Sequence, residues 1–98
     1  MSEAPVIKEM NDSGTKGRFV ITLPGGVAEL TFSVTTPTLI IADHTGVAPA
    51  LEGQGLAKRL VEALVADARA QGYKVVPLCP YVNAQRRRHP EWADVFSV

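Results

Sequence analysis

Among 98 residues there is one cysteine, Cys79. A single thiol excludes an intramolecular disulfide and a zinc site built from several cysteines, and no other metal-ligand spacing appears. Neither sign of charge is in excess, because ten basic residues balance ten acidic ones. That balance gives no global attraction to nucleic acid or an anionic membrane, so neither is an expected partner. No apolar run approaches the ~20 residues needed to span a bilayer. Met1-Ser2-Glu3-Ala4-Pro5 lacks the basic and apolar regions of a signal peptide. These absences predict a cytoplasmic protein. Gly-x-Gly-x-x-Gly and Gly-Lys-Ser/Thr are also missing, which excludes the dinucleotide and Walker phosphate loops. No repeat, linker or low-complexity segment divides the chain. Residues 1–98 therefore read as one domain with a single modest core, expected as a monomer or weak dimer.

What is present is a succession of short strands and one long helix. Val6 to Met10 reads as a strand, and Asn11-Asp12-Ser13-Gly14 as a turn. Arg18 to Leu23 is rich in β-branched residues, and Pro24-Gly25-Gly26 turns the chain again. Val27 to Val34 then alternates apolar and polar residues, as a strand with one wet face does. Three antiparallel strands joined by tight turns are the economical arrangement. The next strand, Thr38 to Ala48, is apolar on both faces in its middle, which predicts a central place in the sheet. From Gln54 to Gln71, Leu56, Leu60, Val61, Leu64, Val65 and Ala68 form the stripe of an amphipathic helix, with Gly72 placed to cap it. Tyr73 to Leu78 follows as a strand, so strand, helix and strand make one crossover with parallel pairing. Pro77 cannot donate to a ladder, which predicts that pairing fails there. Val82 to Arg88 reads as a short helix and Glu91 to Val98 as a terminal turn or tail. Trp92 and Phe96 are expected to pack beneath that last helix.

Between the fourth strand and the long helix lies Val47-Ala48-Pro49-Ala50-Leu51-Glu52-Gly53-Gln54-Gly55-Leu56-Ala57. Gly53, Gly55 and Ala57 allow a ligand close to the main chain. The free N–H groups of a first helical turn attract anions through directed hydrogen bonds and the helix dipole. The pattern points to a phosphate cradle, against the plainer alternative of a glycine-containing helix start.

Glu52-Gly53-Gln54-Gly55-Leu56-Ala57 resembles the acetyl-CoA signature of the GNAT N-acetyltransferases, Gln/Arg-x-x-Gly-x-Gly/Ala, with Glu52 where Gln or Arg is usual. Together with His44-Thr45, Cys79-Pro80-Tyr81 and His89-Pro90-Glu91-Trp92, the run from Thr38 to Trp92 resembles the short YjdJ-like subfamily. The resemblance implies an α+β fold: a mixed, mostly antiparallel sheet, one long helix packed across it, and a short C-terminal helix. It implies acetyl-CoA as cosubstrate, with Val47 and Ala48 pairing with pantetheine. Gly53, Gln54, Gly55, Leu56 and Ala57 would hold the pyrophosphate, and Lys58 and Arg59 are candidates to neutralise it. The Glu52 side chain is expected to point away from that anion.

Cys79 falls near the thioester by this resemblance, which makes it a candidate for a catalytic or acyl-adjacent role, an acetyl-Cys79 intermediate being the variant of direct transfer. Otherwise it is a small buried hydrophobe. His44, near the end of its strand, could take a proton from an attacking amine at neutral pH or could satisfy a core hydrogen bond. Two departures bear on chemistry. Gly46 stands where many members have Glu, a possible base, and Gln85 where many have Tyr, a possible acid; Tyr81 or Cys79 could substitute. Arg86-Arg87-Arg88-His89 is the one dense basic run, either a solvated face or a contact to the CoA 3′-phosphate. The function implied is acetyl transfer to an amine, protein amines included. The alternative is an acyl-CoA-binding module with little turnover.

Overall fold

Asn11 makes the first reversal of the chain. Its side-chain oxygen accepts from the N–H groups of Thr15 and Lys16, at 3.0 and 3.1 Å, and so closes the turn. The computed structural model describes residues 4–98, and residues 1–3 of the stretch read for a targeting signal lie outside the described residues. The turn joins β1 (Ile7–Met10) to β2 (Lys16–Leu23). β3 (Gly26–Thr36) and β4 (Leu39–Val47) follow in the same antiparallel manner, and β5 (Lys74–Val76) pairs with β4 in parallel. Sheet order equals chain order, β1-β2-β3-β4-β5. This is the mixed, mostly antiparallel α+β arrangement expected from the sequence.

The long helix α1 (Leu56–Gln71) lies across one face of the sheet. Its buried residues are the six of the apolar stripe, and they meet Phe19, Ile21, Leu30, Phe32 and Ile40 in one core. Burying side chains of this size contributes about 1.5–3 kcal/mol each. α1 ends where Gly72 adopts φ 79° and returns its N–H to Ala68 C=O at 2.8 Å. α2 (Pro80–Arg88) begins two residues earlier than the apolar pattern indicates, because Pro80 is suited to a first helical turn. Both helices contact the same face, since Val82 of α2 belongs to the same core. Among the described residues no helix is long and apolar enough to cross a membrane.

Two expectations need correction. β4 is not buried on both faces: Ile40 and Ala42 face the core, whereas Ile41 is only half-buried on the side that no helix covers. β4 lies inside the sheet, between β3 and β5, with β3 the middle of the five strands. The C-terminal segment is also more than a tail. After a short 3-10 turn at Pro90–Trp92, the Val75 N–H donates to Val95 C=O at 2.9 Å, and the Ser97 N–H donates to Val75 C=O at 2.8 Å. The last residues thus extend the sheet beyond β5 by a single bridge, Val75↔Phe96. Trp92, Val95 and Phe96 are buried there.

Arg69 ties this segment to α1 with two bonds to the Asp94 carboxylate, at 2.8 and 3.0 Å, and one to Glu91 C=O at 2.8 Å. The paired guanidinium holds the Asp94 carboxyl below its ordinary value of 3.8. A carboxylate with a depressed folded pKa adds stability above its unfolded value and loses it as pH falls through the folded one. We expect the acid limb of the melting profile, below about pH 4, to flatten in Arg69→Gln. The change should be modest, because the pair is solvated; thermal melts across pH 2–7 (a range of about five units) check it.

Candidate functional site

β5 leaves β4 after three residue pairs, ending at Ile41↔Val76. Pro77 has no N–H with which to continue. The last link is the Cys79 N–H, which donates to Ala42 C=O at 2.8 Å. Beyond it, among the described residues, no strand pairs with the outer edge of β4. On the inner edge the Ala48 N–H donates to Val27 C=O at 3.0 Å. Antiparallel alternation then turns the N–H and C=O groups of Thr45 and Val47 toward the open edge. Ala48 differs from its expected role, because its N–H is spent on Val27 and its C=O accepts from Leu51 at 2.8 Å. Thr45 was not singled out from sequence; its two-residue spacing from Val47 is the signal that could have found it.

The chain next makes a 3-10 turn at Pro49–Leu51 and enters the glycine loop. Gly55 is the N-cap of α1 at φ 72°, a left-handed conformation that suits glycine, and no side chain caps the helix. The N–H groups of Gly53, Gly55, Leu56, Ala57 and Lys58 have no acceptor among the described residues, and the first bond into α1 is Arg59 N–H to Gly55 C=O. These donors border a groove of about 250 Å³ lined by Val47, Leu51, Glu52, Gly53, Gly55, Leu56, Ala57, Lys58 and Tyr81. Glu52 and Lys58 are both among the residues that line this groove. Arg59 is committed elsewhere, donating from Nη2 to Ala4 C=O at 2.6 Å.

Tyr81 brings α2 to this groove. Burial pushes its phenol pKa above the ordinary value, and Glu62 adds to the shift while Arg88 opposes it. The phenol therefore stays protonated at neutral pH. Gln85, one turn further along α2, is buried at 8% exposure. Arg86 and Arg87 line a different groove at the far end of α2, with Pro90, Ala93, Phe96 and Val98. His89 stacks on Trp92 at 4.0 Å between ring centroids, and its Nδ1 lies 2.9 Å from Glu91 Oε2. The His-Pro-Glu-Trp run thus anchors the C-terminal segment.

His44 and Cys79 are not brought together. Phe32 pairs with Ala42 and Thr31 with His44, so Asp43 is an extra residue in β4. This bulge reverses which residues face the helices. Thr45 and Val47 turn inward, where Thr45 Oγ1 lies 3.2 Å from Cys79 Sγ. The thiol is 2% exposed and sits at the N-cap of α2. His44 and Gly46 turn to the bare face. There the imidazole leans over the glycine, since a Cβ at Gly46 would stand 3.2 Å from His44 Nε2. Among the described residues no group of three or more metal-ligating side chains is assembled.

A splayed strand pair, an open strand edge and a donor-lined loop opening the helix adjoin one another at this end of the sheet. A sequence model of the GCN5-related N-acetyl-transferase family matches residues 18–95. The chain belongs to that family. It is also similar to the solution structure of a Staphylococcus aureus protein provisionally described as a GCN5-like N-acetyltransferase. The two share 27% identity with a TM-score of 0.67, over 99% of this chain and 91% of the other. No curated protein matches the chain at a significant level. Membership supports acyl transfer at the level of the family, whose enzymes use acetyl-CoA.

The position of Cys79 has a consequence for its chemistry. A thiol buried this deeply is expected to react with an aromatic disulfide reagent roughly a hundredfold more slowly in the native protein than after denaturation. Time-resolved thiol titration in both states checks this.

Proposed function

We propose that residues 1–98 form a single acetyl-CoA-dependent N-acetyltransferase domain of the short YjdJ-like type, working in the cytoplasm on an amine, protein amines included. The observation that carries this reading is the row of unaccepted N–H groups at Gly53 and from Gly55 to Lys58 beside the open edge of β4. Gly53, Gln54, Gly55 and Lys58 are exposed, so the loop main chain is open to a ligand, and a pyrophosphate suits a donor row at a helix start. The N–H groups of Gly53 to Ala57 would hold it, with Lys58 offsetting its charge and that of Glu52. The edge groups of Thr45 and Val47 would pair with the pantetheine amides, as one strand does with another.

Bound there, acetyl-CoA supplies an activated acyl carbon and a thiolate leaving group. His44 Nε2, over Gly46 on the bare face, would take the proton of the attacking amine as the carbon–nitrogen bond forms and the carbon–sulfur bond breaks. An edge N–H of β4 would steady the developing oxyanion. The Tyr81 phenol, protonated and at the groove wall, would return a proton to the thiolate, the task that Gln85 cannot perform. Cys79, buried against Thr45, would support the strand split and would carry no acetyl group.

CoA is expected to raise the melting temperature by mass action, and Gly55→Val to abolish that rise. The Gly55 position has no atom within 4 Å of an added Cβ. The substitution therefore strains the backbone by roughly 1–2 kcal/mol, with the added Cβ in open space. A normal CoA response from this variant would overturn the loop assignment. With an acceptor present, His44→Ala is expected to cut turnover by roughly 10²-fold or more, whereas Cys79→Ala keeps CoA binding. Intact-mass spectra should contain no acetylated Cys79. CoA binding without acceptor-dependent CoA release would instead establish an acyl-CoA-binding module.

A further inference from the structure

The bare face of the sheet holds a carboxylate at the place where β4 has none. Glu29 of β3 is the direct cross-strand partner of Gly46. Opposite residues of an antiparallel pair share a face and hold their Cβ positions about 4.5–5.5 Å apart. Ala28 and Leu30, on either side of Glu29, point into the core, so Glu29 points to the bare face, beside His44 and Gly46. Its Oε1 takes Arg18 Nη1 at 2.7 Å, and Oε2 has no partner among the described residues. Arg18 is shared, since its Nε also donates to Glu9 Oε1 at 2.7 Å. Two carboxylates around one guanidinium leave one negative charge in excess. Gly46 contributes no side chain to block the space between Glu29 and the imidazole.

We propose that Glu29, set across β3–β4 from Gly46, is the anchor that selects a cationic acceptor, a primary alkylammonium, through its free Oε2. This rests on the transferase reading above. An alkyl amine approaches as an ammonium at neutral pH, because its pKa is near that of lysine, about 10.4. A carboxylate at this place draws the cation onto the bare face and holds it next to His44 Nε2. There the ammonium gives one proton to water to become the nucleophilic amine, and His44 Nε2 takes the second proton as the carbon–nitrogen bond forms. A neutral nucleophile gains nothing from Glu29. The residue positions substrate and exchanges no proton itself.

The test compares two acceptors with acetyl-CoA: n-butylamine, a cation near neutral pH, and hydroxylamine, which is uncharged there. For Glu29→Gln the expected result is a KM for n-butylamine raised roughly tenfold or more, as for a lost charged hydrogen bond. Its kcat, its hydroxylamine kinetics and its KM for acetyl-CoA should stay close to wild type. Arg18→Gln removes the competing cation and is expected to lower the n-butylamine KM, whereas a merely structural pair would raise it or leave it unmoved. An unchanged n-butylamine KM in Glu29→Gln, or equal losses with both acceptors, would overturn the Glu29 assignment alone. Wild-type protein that binds CoA but turns over neither acceptor would overturn the transferase reading and this assignment with it.

Discussion

Main-chain hydrogen bonding left incomplete is the constraint on which this protein turns. A backbone N–H that loses water must find an acceptor, and most of the chain meets that demand within the sheet and helices. Two adjoining stretches leave theirs open to solvent or a ligand. β4 loses its outer partner after Ala42, because Pro77 cannot extend the ladder and the chain turns into α2. The loop from Gly53 to Lys58 presents donors that no side-chain cap accepts. The six-residue stripe of α1 fixes these stretches side by side, since it holds the helix across the sheet and thereby its N-terminus at the end of β4.

Around that open corner the sheet sorts its chemistry by face. Strand alternation would place His44 and Ala42 on one side, and the extra residue at Asp43 prevents it. Ala42, Thr45 and Val47 face the helices, so the thiol of Cys79 meets the hydroxyl of Thr45 in the interior. His44 and Gly46 share the bare side with Glu29 and Arg18. One inserted residue therefore separates a packed, apolar side from a charged, accessible one. Asp43 itself is held by Ser33, whose hydroxyl donates to Oδ2 at 2.6 Å.

The family motifs divide along the same line. The glycine loop and the Cys-Pro-Tyr run border the groove, where Tyr81 is the member that reaches the opening. The His-Pro-Glu-Trp run works at a distance: His89 stacks on Trp92, and Arg69 clamps Glu91 and Asp94 onto α1. That clamp brings the C-terminal segment alongside β5, where Val75 receives it. A chain of this length gains core in this way from a segment whose composition reads as a tail.

Sequence alone determined what repeats locally. Periodicity determined α1 and each of its buried residues, alternation gave the strand with one wet face, and Pro77 and Gly72 marked where a ladder and a helix stop. The same local signals picked out the loop, because glycines and a helix start lie next to one another in the chain. Only the tertiary structure decided what depends on register. It set Glu29 opposite Gly46, parted His44 from Cys79 through the bulge at Asp43, spent Ala48 on Val27 and exposed Thr45 in its place, and drew Val95 and Phe96 to β5. Each of these is a relation between residues distant in sequence. Strand register follows from how the whole hydrophobic pattern seats on its neighbours, and a shift of one residue exchanges the two faces.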